Sequence, residues 1–138
     1  MSRFDECVRK RKIVRERKDP ALVKKELEQA AYDLGRARDS FGDGDFKWST
    51  VQAYYVMFHA ARALLFSKGY REKSHRCLYH ALEHLFADSL GASFLDDFRL
   101  AMSLREDADY GYVYSESNAE ESIENAESFL EKAKKILK

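Results

Sequence analysis

The stretch VQAYYVMFHAARALLF, Val51 to Phe66, decides the fold. Only Gln52, His59 and Arg62 interrupt it, and their offsets of seven and three place all three on one stripe of an otherwise apolar cylinder. A helix of this kind is buried nearly all round, so other helices must surround it. The run is also too short and too polar to span a bilayer. The helix extends from about Phe46 to Lys68, where Gly69 supplies a C-terminal stop.

Working outward, the segment before it opens at Asp19-Pro20, an N-cap followed by the residue best suited to a first helical position. Leu22, Val23, Leu27, Ala30, Ala31 and Leu34 then recur at helical spacing until FGDGD, Phe41 to Asp45, makes a tight connection. After the central helix, Ser74 can cap a third helix over about His75 to Ser89. Gly91 and Ala92 form the next turn, and a fourth helix runs from Ser93 to about Tyr110, closed by Gly111. A fifth, capped at Ser115 or Ser117, carries Ala119, Ile123, Ala126, Phe129, Leu130, Ala133 and Leu137 on one face. No strand signal and no internal repeat is visible. The pattern predicts an all-α, up-and-down bundle of four to five helices.

The chain's 138 residues suit one domain, and 45% hydrophobic with 35% charged residues excludes bulk disorder and low-complexity architectures. No apolar N-terminal run resembles a secretory signal, and Cys7 and Cys77 allow at most one bridge. These features predict a cytoplasmic protein with reduced thiols and no membrane span. The balance of 24 basic and 24 acidic residues hides an asymmetry. Residues 1–18 hold eight basic and three acidic side chains, net +5, leaving the remainder at −5. The expected organisation is a basic arm or helix over 1–18 and a helical bundle over 19–138. Such an arm could grip phosphates, form a solvated helix or dock on the acidic face of a second subunit.

His80 and His84 stand four apart on the third helix, but the sequence YHALEH lacks the Glu of a metalloprotease motif and places no third ligand. Cys77 has no C-x-x-C partner and reads as a small buried hydrophobe. Phosphate-cradling glycine loops and nucleophile elbows are missing. No metal and no cofactor is therefore expected. Two features remain. The stripe Gln52, His59 and Arg62 needs partners, because an unpaired buried polar group costs about 1 to 3 kcal/mol; it forms either a core network or a ligand-facing row. The second is LREDADYGY, Leu104 to Tyr112. There Arg105 and Asp109 can pair at i, i+4 and simply hold the fourth helix, as in a non-catalytic helical adaptor. Equally, Arg105 stands near the hydroxyls of Tyr110, Tyr112 and Tyr114, a set suited to holding a nucleotide or phosphodiester.

The block AYYVMFHAARALLFSKGY (Ala53 to Tyr70), followed by KSH (Lys73 to His75) and LREDADYG (Leu104 to Gly111), resembles the HEPN domain, the higher eukaryote and prokaryote nucleotide-binding domain. The resemblance covers about Pro20 to Leu137 and is narrowest with the small stand-alone bacterial and archaeal members. It implies an all-helical bundle, a homodimer with a shared cleft, RNA or nucleotide as ligand, and a minimal nucleotidyltransferase as partner in a toxin–antitoxin-like pair. Many members are metal-independent ribonucleases whose motif is an arginine followed four to six residues later by a histidine. Arg105 matches the arginine and Glu106 the polar residue after it, but Tyr110 stands where the histidine would be. Tyrosine, with a pKa about 10, is a poor base near neutrality compared with histidine at about 6.5, so His59 or His75 would have to substitute. By the resemblance, the site comprises Arg105 and Tyr110 as catalytic candidates and Arg105, Asp109, His59 and Arg62 as ligand-binding ones. Tyr112 matches a tyrosine that the partner enzyme modifies with AMP.

Overall fold

The computed structural model describes residues 1–138. Seven helices and two short strands follow one another as α1 (Arg3–Arg9), β1 (Ile13–Arg15), α2 (Pro20–Gly42), α3 (Phe46–Ser67), β2 (Tyr70–Glu72), α4 (His75–Leu85), α5 (Ala87–Leu90), α6 (Ala92–Asp109) and α7 (Glu116–Leu137). The architecture is an all-α bundle with α3 at its centre, flanked by α2, α6 and α7. Its side chains explain that placement: Ala53, Val56, Met57, Ala60, Ala61, Ala63, Leu64 and Leu65 are all fully buried. No helix is long and apolar enough to cross a membrane.

Local chemistry sets the helix boundaries. The Asp19 carboxylate accepts from the Ala21 amide at 2.9 Å with Pro20 in the first turn, and Asp45 accepts from Trp48 at 3.1 Å. Ser74 and Ser115 cap α4 and α7 in the same way, each at 3.0 Å. Each cap satisfies an amide that the helix itself leaves unpaired. At the end of α3, Gly69 adopts φ +81°, and a Cβ there would stand 3.3 Å from the Glu16 carbonyl oxygen. Glycine at that point lets the chain reverse into β2.

Three sequence expectations need correction. The predicted third helix is two helices, because the backbone leaves helical geometry at Phe86, whose ring is buried in the core with Leu90. The absence of strands is also overturned. β1 and β2 pair antiparallel with Ile13 opposite Glu72 and Arg15 opposite Tyr70. Three residues per strand are too few to show an alternating pattern in sequence. Finally, the thiols are not free, since Cys7 and Cys77 form a disulfide with their Cα atoms 5.8 Å apart. Burial of Cys77 agrees with the sequence reading; its bonding does not.

That bond ties α1 to α4. Phe4 and Ile13 are buried, Phe4 stacks on His84 with ring centres 4.3 Å apart, and Arg15 lies over the Tyr70 ring at 4.6 Å. Residues 1–18 thus contribute apolar side chains to the core while their cations remain outside.

Candidate functional site

Two neighbouring polar clusters lie along α3. On the α2 side, the stripe finds its partners. His59 Nδ1 lies 2.6 Å from Glu26 Oε2, and its Nε2 lies 3.5 Å from Asp33. Arg62 donates to Glu72 through Nε at 2.8 Å and reaches Glu26 through Nη1 at 3.2 Å. Gln52 sits 2.7 Å from the Ser40 hydroxyl, oriented so that its NH2 also meets the Trp48 and Arg36 carbonyls. Burial pushes the Asp33 and Glu72 carboxyls above their ordinary values, while His59 and Arg62 respectively oppose the shift. Glu72 arrives from β2, so the small ladder supplies a partner that helix periodicity alone could not reveal.

The second cluster adjoins the first toward α6, with the Tyr55 ring 6.5 Å from that of His59 one turn further on, and its partner set is incomplete. Arg105, on the last turns of α6, donates from Nη2 to the Tyr55 hydroxyl at 3.2 Å and stands 4.0 Å from Asp109. Its guanidinium carbon lies 5.6, 5.7 and 5.5 Å from the ring centres of Tyr54, Tyr55 and Tyr110. Its Nε is buried without a hydrogen-bond partner. A guanidinium carries five N–H donors, and here at least one is desolvated without compensation.

His75 enters the same corner from the first turn of α4. Its Nδ1 lies 2.5 Å from the Tyr54 hydroxyl, and its ring stacks on Phe58 at 4.6 Å. Burial lowers its pKa below the ordinary 6.5, with the Arg105 and then the Arg62 charge acting in the same direction. The ring is therefore neutral at pH 7. Burial likewise pushes the Tyr54 hydroxyl well above its usual range, so it keeps its proton. With the protonated Tyr54 O–H as donor to Nδ1, the imidazole proton resides on Nε2. As held, His75 offers an N–H donor rather than the free lone pair a general base uses.

The structure thus brings Arg105, Asp109 and Tyr110 together and adds Tyr54, Tyr55 and His75. His59 and Arg62 lie instead in the closed network with carboxylate partners. Tyr112 lies outside both clusters: it is 75% exposed, adopts φ +55° and has the Lys47 ammonium 5.2 Å from its ring. Tyr54 and Tyr55 were hidden in the sequence because they read as part of the apolar run. Their position about one turn before His59 was the only signal.

These features define a helical bundle with an arginine–tyrosine–histidine corner beside its central helix. The HEPN domain model matches residues 23–137, and the chain belongs to the HEPN family. The chain is 37% identical over 103 residues to a protein of Archaeoglobus fulgidus named "UPF0332 protein", covering 71% of this chain and 81% of that one. It is 31% identical over 119 residues to a Methanocaldococcus jannaschii protein named "Putative toxin MJ0605", covering 81% of this chain and 86% of that one. Among solved structures, TT1696 from Thermus thermophilus superposes with a TM-score of 0.71 at 20% identity, over 82% of this chain and 96% of that one. That likeness concerns the fold.

Proposed function

We propose that this chain is a toxin-like HEPN protein that binds the phosphate of a nucleotide or RNA at Arg105. It works as a homodimer and pairs with a minimal nucleotidyltransferase. The buried, unpartnered Nε of Arg105 carries the reading. Because that Nε is shielded from solvent, the guanidinium must turn outward to take a phosphate oxygen as its missing acceptor, a geometry its planar fork suits better than a point charge. The Nε2–H of His75 is available as a second donor. Homodimerisation draws support from Tyr110, Tyr112 and Val113, which are 70%, 75% and 64% exposed within four residues of chain. The resemblance of Tyr112 to the AMP-modified tyrosine supports the partnership, together with its exposure to an approaching enzyme.

The test is titration of the full chain with AMP and single-stranded RNA, alongside light scattering. Saturable binding that Arg105→Ala abolishes, with a mass twice the 16.1 kDa chain, supports the reading; binding indifferent to Arg105 refutes it. A second reading, a metal-independent ribonuclease, gains one observation: His75 stands beside Arg105 where the motif histidine is absent. It requires RNA cleavage in EDTA that His75→Ala removes. Co-expression with a nucleotidyltransferase and mass spectrometry at Tyr112 would test the partner.

A further inference from the structure

Between α1, α4 and α6 lies an open cleft of about 480 Å³ lined by Arg3, Arg76, His80, Arg99 and Ser103. It continues into a hollow of about 160 Å³ over the Cys7–Cys77 bond, which shares Arg3, Arg76 and His80 and adds Lys10. Arg105 lines neither hollow; Met102 and Glu106, on the adjacent stripe of α6, line the larger one. Arg3 and Arg76 enter no ion pair, and Arg99 stands only 3.5 Å from Asp96 on its own helix. His80 Nδ1 is buried without a hydrogen bond; Glu83, 3.5 Å away, is badly aligned for one.

Carboxylates are present too, from Glu6, Glu83 and Glu106, so the groove is no uniform field of positive charge. The contrast is with the other large cleft, about 470 Å³ between α2 and α7, where Glu120, Glu124 and Glu127 face Arg38 as the one lining cation. Phosphate would be repelled there and attracted to the α1–α4–α6 groove. The basic residues of the arm are also held in place. The disulfide and the β1–β2 ladder fix the α1 backbone against α4, so only the exposed side chains of Arg3 and Lys10 are left to order when a ligand arrives. Both residues precede the family match at 23–137, whereas Arg76, His80 and Arg99 lie within it, so the N-terminal segment and the matched bundle line the groove together.

We propose that the α1–α4–α6 groove binds successive phosphates of a single-stranded RNA whose neighbouring phosphodiester meets Arg105. The proposal rests on the reading that Arg105 binds phosphate and adds the path of the strand. Two hollows end to end, with cations spread from α6 to α1, fit a chain of phosphates better than a single one.

The experiment measures anisotropy of a fluorescein-labelled single-stranded RNA at several salt concentrations, with AMP and pyrophosphate as competitors. Wild type is compared with Arg3→Glu/Arg76→Glu, the milder Arg76→Gln, and Arg105→Ala. Arg3 and Arg76 are both solvent-exposed, and melting curves verify folding. The expected result is RNA binding at least about tenfold weaker in the double variant, with a salt slope shallower by about 1.4 for two lost phosphate contacts. Arg76→Gln falls in between, and AMP affinity is unchanged. Equal losses for AMP and RNA would overturn the strand path in favour of a single-phosphate site. Unchanged RNA binding in both groove variants, with loss in Arg105→Ala, would overturn the groove and leave the Arg105 reading intact. Failure of the wild type to bind RNA would overturn the proposal, and failure to bind AMP as well would overturn the Arg105 reading with it.

Discussion

On the α2 side of α3, Arg62 and His59 meet Glu26, Asp33 and Glu72, and the charges close upon themselves. On the α6 side, Arg105 meets tyrosine hydroxyl and ring faces, one distant carboxylate, and nothing at Nε. The two regions use the same residue types at similar depth: the Arg62 and Arg105 side chains are 19% and 16% exposed. Composition therefore cannot separate a structural arginine from a ligand-binding one. The partner set differs: Arg62 meets two carboxylates, whereas Arg105 meets one at 4.0 Å and leaves its Nε without an acceptor.

The open corner is anchored by the Cys7–Cys77 bond, which lies two residues beyond His75 and closes a separation of 70 residues. In the chain-entropy account such a link is worth roughly 4 kcal/mol, the largest single effect expected. Denaturant unfolding with and without reductant measures it; a difference under about 1 kcal/mol would mean that the packing of Phe4 and Ile13 alone holds α1 in place. Next comes the closed network. Glu26→Ala strips one acceptor from both His59 and Arg62, and leaving a half-buried cation short of its partner should cost about 3 kcal/mol. A negligible change would show that water replaces the carboxylate and that this cluster is as open as the other.

Arg105→Ala sharpens the contrast from the other side. Removing an incompletely satisfied guanidinium should move stability by less than about 1 kcal/mol, while RNA or nucleotide affinity falls at least about tenfold. Arg105→Lys should not restore binding, since the fork is lost. If Arg105→Ala destabilises the fold as much as Glu26→Ala does, the distinction between the clusters collapses.

The smallest effect is electrostatic. NMR titration should place His75 below 6.5, and Arg105→Ala should move it back toward that value without reaching it, because burial is the larger cause. Since the folded ring resists protonation, its contribution to stability is fully present above the unfolded value of about 6.5. It is lost as the pH falls from there through the folded-state pKa. His75→Gln should flatten that part of the stability profile.

Much of this was legible in the sequence. Asp19-Pro20, FGDGD and the apolar run of Val51 to Phe66 act through local rules of capping, turn geometry and burial, so the helices they delimit follow from neighbours in the chain. Arg105 and Asp109 were readable as an i, i+4 pair, and Cys7 and Cys77 as at most one bridge. The partners of the stripe were not readable. Glu26, Asp33 and Glu72 lie on other elements, and Glu72 reaches Arg62 from a strand of three residues whose pairing partner, Ile13 to Arg15, lies far back in the chain.

The sequence by itself determined that the chain forms helices around a buried centre, because helical periodicity and capping are contacts within a few residues. Tertiary structure alone decided that Cys7 meets Cys77, that His75 stands beside Arg105 while His59 is engaged by carboxylates, and that the basic arm is built into the fold. Those pairings range from His59 with Asp33, 26 positions apart, to the two cysteines, 70 apart. Each depends on how the helices pack, a global property that no local pattern encodes.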